Sequence, residues 1–115
     1  MAISEAFTAS PTVGTSEYSV VNNSTSLGAS TSSGIYQLFL DLNALVAGDE
    51  FQVRVYEKVQ SGGTQRVVWQ SNISGAQSLP IWASPTLILI NGWEMSLKKI
   101  AGTDRAIPLS CRKVA

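Results

Sequence analysis

A chain of 115 residues fits one compact domain, which at this size buries roughly two-thirds of the surface its unfolded form exposes. Eight basic and eight acidic residues leave no net charge, so no general field draws the protein to phosphate backbones or anionic membranes, and neither partner is expected. The chain has no His and one Cys, which removes the commonest proton shuttle, a common metal ligand and any internal disulfide.

Charged residues make up 14% of the chain against roughly 25% in ordinary domains, a composition suited to a surface that other protein covers. Residues 1–10 hold no basic region followed by an apolar stretch, and the longest aliphatic run, residues 87–90, is too short to span a bilayer. A soluble protein made in the cytoplasm is the expectation. The sequons at Asn22, Asn23 and Asn72 follow from the Ser/Thr content, and glycosylation is not expected.

Residues 1–33 are rich in Ser and Thr, with apolar positions scattered among them. Here 17–21 (Glu-Tyr-Ser-Val-Val) reads as a strand and 6–9 as a shorter one, while 22–33, with only Leu27 as a large apolar side chain, reads as a loop. This first third is an N-terminal arm or edge segment, either a mobile terminus or a segment that orders against a partner.

From residue 34 to 115 the pattern tightens into a β-sandwich core. Residues 35–42 are apolar on both faces apart from Gln37 and Asp41, which predicts a strand covered on two sides. After a turn at Ala47-Gly48-Asp49, residues 50–59 alternate, with Phe51, Val53, Val55 and Val59 on one face and Glu50, Gln52, Arg54, Tyr56 and Lys58 on the other. The Gly-rich loop 60–64 returns the chain through 65–70, with Val67 and Trp69 in phase, as a hairpin.

A turn at Ser74-Gly75-Ala76 precedes 78–83, whose Pro80 argues for an edge or a strand end. Residues 87–90 are apolar on both faces. Asn91-Gly92 predicts a type I′ hairpin returning through 93–99, with Trp93, Met95 and Leu97 inward. After a turn at 101–104, residues 106–113 place Ile107, Leu109 and Cys111 on one side. Eight or so strands at regular spacing, with no 3.6-residue period, specify an all-β antiparallel sandwich. A jelly roll of about eight strands fits the count and length, with an immunoglobulin-like sandwich as the alternative.

Catalytic chemistry finds little footing. The Ser residues lack the usual His base, and Cys111 falls on an inward phase where a thiol is a small buried hydrophobe. Of the carboxylates Asp41, Asp49, Glu50, Glu57 and Glu94, the Asp49-Glu50 pair lies at a turn, and Glu57 and Glu94 fall on solvent-facing phases beside Lys and Arg. No Ca²⁺ loop or phosphate-cradling Gly loop occurs, so no enzyme, metal or cofactor is expected. Aromatics are the remaining lead. Trp69 and Trp93 share phase with apolar neighbours and read as core, whereas Tyr56, Trp82 and Tyr18 of the arm are the candidate interface residues.

Residues 36–68 contain Tyr-Gln-Leu-Phe-Leu-Asp-Leu, then Ala-Gly-Asp-Glu-Phe-Gln-Val-Arg-Val-Tyr-Glu-Lys-Val, then Gly-Gly-Thr-Gln-Arg-Val-Val. Gly92-Trp93-Glu94, Ala101-Gly102-Thr103-Asp104-Arg105 and Arg112-Lys113-Val114 follow. Together these resemble small structural proteins of tailed bacteriophages, closest to the capsid decoration, or cement, proteins with a jelly-roll fold. The resemblance implies a non-enzymatic virion protein, made in the host cytoplasm, that sits on the capsid surface, often as a trimer, and bridges major capsid protein subunits. It transfers no contact residue. The alternative is a phage tail, fibre or carbohydrate-binding module whose exposed aromatics stack on glycan.

Overall fold

The computed structural model describes residues 2–114; Met1 and Ala115 lie outside the described residues. The regular elements are strands: β1 (Ile3–Ala9), β2 (Thr12–Val13), β3 (Tyr18–Ser19), β4 (Gly34–Asp41), β5 (Glu50–Glu57) and β6 (Arg66–Ser74) come first. β7 (Ile81–Ala83), β8 (Leu87–Leu89), β9 (Glu94–Ala101), β10 (Arg105–Ala106) and β11 (Leu109–Val114) complete the chain. They form the expected all-β antiparallel sandwich. The first sheet runs β1-β11-β4-β7, with β8 also on β4, and the second runs β3-β9-β5-β6; β10 and β2 pair separately.

The pairings are nested. β5 pairs with β6, β4 with β7 and β8, β3 with β9, β2 with β10, and β1 with β11, all antiparallel. The chain is therefore one long ribbon with the β5–β6 hairpin at its tip, and apart from the separate β2–β10 pair its successive pairs fall in alternate sheets. β7 and β8 lie along different parts of β4, against Phe39 to Asp41 and Gly34 to Tyr36 respectively.

Strand side chains alternate between faces, and the inner sets meet in one core. Tyr36, Leu38 and Leu40 of β4, Phe51, Val53 and Val55 of β5, Met95 and Leu97 of β9, and Leu109 and Cys111 of β11 are all buried. Trp93 is fully buried at the head of β9, its ring 4.4 Å from that of Tyr36 and 6.1 Å from that of Phe7. Its indole N–H donates to the Ser32 carbonyl, which satisfies the one polar atom that Trp carries into the core.

Several elements depart from expectation. β4 is buried on one face only, since Ile35 stays 42% exposed and Phe39 is half-buried. β5 ends at Glu57, leaving Val59 on the surface instead of inside. Val55 lies opposite Trp69 but Tyr56 opposite Val67, so a bulge at Val68 turns Val67 outward and Trp69 inward, out of phase with each other. β7 begins directly after Pro80, the strand-end position that a residue without an N–H favours.

Asn91-Gly92 forms no hairpin. A type I′ turn needs positive φ at both central residues, and of the two only Gly92 has it, at 54°. The Ile90 and Asn91 N–H groups donate instead to the Glu57 carboxylate, and the Lys58 N–H donates to the Asn91 carbonyl. At this point the chain crosses from β8 in the first sheet to β9 in the second.

Residues 1–33 supply an edge strand to each sheet, β1 and β3. The strand expected over 17–21 shrinks to Tyr18–Ser19, but Val13, Tyr18 and Val20 belong to the core. The loop after it is pinned by bridges from Ser19 to Ser24 and from Ser30 to Trp93.

Candidate protein-interaction surface

The three aromatic candidates lie apart. Tyr18 faces inward opposite Leu97, 6% exposed, and its hydroxyl donates to Asn23 Oδ1 at 2.6 Å. Burial, and then the Glu94 charge, raises its pKa. Tyr56 is half-buried on the outer face of the second sheet; its hydroxyl donates to Glu17 and accepts from Arg54 Nη1 at 3.4 Å. Burial and the Glu17 hydrogen bond raise its pKa. Trp82 sits opposite Leu40 on the inner face of the first sheet, and its ring lies 5.7 Å from that of Trp69. The two indoles bridge the sheets along the open side of the sandwich.

Three of the carboxylates, Glu94, Glu57 and Asp49, accept hydrogen bonds from within the fold. Glu94 keeps the outward phase expected of it but is 0% exposed, because residues 19–28 fold over it. Its Oε2 accepts from Ser19 Oγ at 2.6 Å and the Gly28 N–H at 2.7 Å, and its Oε1 from the Val21 and Met95 N–H groups. Glu57 is not free in solvent either; it caps the Ile90 and Asn91 amides. Asp49, 3% exposed, accepts from the Val46 and Thr103 N–H groups and from Arg105 Nε at 2.8 Å. Those bonds, the one from Val46 foremost, hold its carboxyl at about 2. Cys111 is fully buried with its sulfur 3.7 Å from Met95 Sδ, and desolvation pushes the thiol up to about 12.

The outer faces of the two sheets differ in kind. On the second, polar side chains bond one another: Gln52 to Asn72, Asn72 to Glu50, and Arg54 to Gln70 and Tyr56. Such a face has its hydrogen bonds satisfied and remains stable in water.

The first sheet presents a row of aliphatics. Ile3 pairs with Val114, Val114 with Ile35, and Ile35 with Ile88, so four side chains line up across β1, β11, β4 and β8. Ile3 is 74% and Ile88 81% exposed, and Ile90 beside them is 54% exposed. Ile35, Ile88, Ile90 and Val114 line an open groove of about 810 Å³. A second, of about 220 Å³, continues along the same face past Phe39, over whose ring the Arg112 guanidinium sits at 3.8 Å. An apolar strip of this continuity is a mark of a protein-binding face.

Sequence reasoning missed this row. The aliphatic run at 87–90 was a signal for it, but a run apolar on both faces reads as a strand buried on both, and only Leu89 is fully buried. The fold and this surface define a class, a small antiparallel β-sandwich with one water-adapted outer face and one apolar outer face. No protein-family model matches the chain, and no curated protein matches it, so its functional reading rests on the surface itself.

Proposed function

We propose that this chain is a structural virion protein with a jelly-roll fold, which binds the outside of an assembled phage capsid and stabilises it by bridging major capsid subunits. The nested strand pairs, which alternate between the two sheets apart from the separate β2–β10 pair, support the jelly-roll form. The observation that carries the binding role is the row Ile3, Val114, Ile35 and Ile88. Covering it removes apolar area from water at about 25 cal/mol per Å². A ligand that binds only the assembled shell stabilises it by mass action, roughly 4 kcal/mol at a thousandfold excess over Kd.

Glycan stacking is the weaker reading. Trp82 is engaged with Trp69 and the Tyr56 hydroxyl with Glu17, which leaves neither aromatic free as an open platform.

The test is co-sedimentation of the purified protein with heads of its own phage, comparing the wild type with Ile88→Lys. Wild-type binding that the lysine abolishes, with the unfolding midpoint unchanged, is the expected result. A wild type that ignores the heads, or a lysine variant that binds equally well, overturns the reading.

A further inference from the structure

β6 is the open edge of the second sheet. Apart from the bulged Val68 its residues pair with β5 on one side, and among the described residues no strand lies on the other. An unpaired edge is a row of N–H and C=O groups whose natural complement is another extended strand, and folded proteins guard such edges with charge, proline, bulges or brevity. The other edges follow this rule. β3 has two residues, β7 and β8 three each, and β1 carries Glu5 and a bulge. β6 has one bulge, at Val68, and from Val67 to Ser74 no charged residue and no proline.

We infer that β6 pairs with β6 of a second copy of this chain, antiparallel across a two-fold axis, to give one continuous sheet through both molecules. Opposed residues in such a pair must share a face, which places the axis on a residue and not between two. The bulge limits regular pairing to the stretch after Val68. Within it, an axis at Ser71 sets Trp69 opposite Ile73 on the inner face and Gln70 opposite Asn72 on the outer. An axis one residue later leaves Trp69 unpaired.

The Ser71 register puts a small side chain at the axis and an apolar pair on either side of it. Two amides capable of bonding each other lie on the outer face. It also closes the side of the sandwich where Trp69 and Trp82 are only partly buried. Arg66, the one charged residue of β6, falls outside the regular stretch, so no like charges meet. The pairing is independent of the capsid-binding face, which lies on the other sheet.

The test is sedimentation of the intact protein over a wide concentration range. The wild type is expected to show a monomer–dimer equilibrium. Gln70→Lys with Asn72→Lys places like charges opposite each other twice, and weakens association by roughly tenfold or more. Mixing that protein with Gln70→Glu plus Asn72→Glu restores a heterodimer. Amide exchange in the wild type, slowed with rising concentration within residues 69–73, reports the same contact without any substitution. A wild type that stays monomeric, forms a trimer, or dimerises without added protection in β6 overturns the inference.

Discussion

Glu94 Oε2 meets Ser19 Oγ at 2.6 Å across 75 positions of sequence, and this contact ties the Ser/Thr-rich first third of the chain to the core. The same carboxylate takes N–H groups from Val21, Gly28 and Met95. One fully buried acid thus organises the loop that covers it, with no basic partner among the described residues. Hydrogen bonds to a charged acceptor are stronger than neutral ones, which suits a single side chain holding four donors.

Glu94→Gln keeps the shape but turns one acceptor into a donor, which faces either the Ser19 and Gly28 donors or those of Val21 and Met95. The expected cost is about 1–3 kcal/mol. A thermal midpoint lowered by several degrees, with faster amide exchange at Val21 and Gly28, checks it; an unchanged midpoint contradicts it.

Asp49 predicts the acid limb of stability. Its folded pKa of about 2 lies below the unfolded value of roughly 3.9, so its contribution is complete above that unfolded value. It is lost as pH falls from about 4 toward 2. In Asp49→Asn this loss is absent, so the midpoint of the variant falls less steeply with acid than that of the wild type across the same window.

The Asp49 corner also predicts a strict glycine. Gly102 has φ of 91°, and a Cβ there would collide with Asp49. Gly102→Ala therefore combines backbone strain with displacement of the carboxylate that holds Thr103 and Arg105. A destabilisation of more than about 1 kcal/mol is expected in chemical denaturation.

Cys111 is expected to be inert in the native state. With its thiol pushed up to about 12 and no exposed surface, almost no thiolate is present at neutral pH. Labelling by a thiol reagent should follow the rate or extent of unfolding, and rapid native labelling would contradict the burial.

Much of the inner architecture was legible because strand alternation is local. Phe51, Val53 and Val55 in β5, Trp93, Met95 and Leu97 around β9, and Ile107, Leu109 and Cys111 near the C-terminal strand all point where period-two reasoning places them. It failed where a single residue changed the count, as at the Val68 bulge, or where a side chain from elsewhere outcompeted the local turn. Glu57 takes the Ile90 and Asn91 amides, so Asn91-Gly92 becomes a crossover between sheets.

The candidate surface lay beyond sequence reach for a related reason. Ile3, Val114, Ile35 and Ile88 come from opposite ends and the middle of the chain, and only the register of four strands makes them neighbours. Sequence by itself determined that the chain is all-β, which residues alternate inward and that Cys111 is buried, because each follows from the pleat of one strand. Tertiary structure alone decided what covers each outer face: it laid a loop over Glu94 and left Ile88 bare, since burial depends on what packs against a side chain and not on its own chemistry.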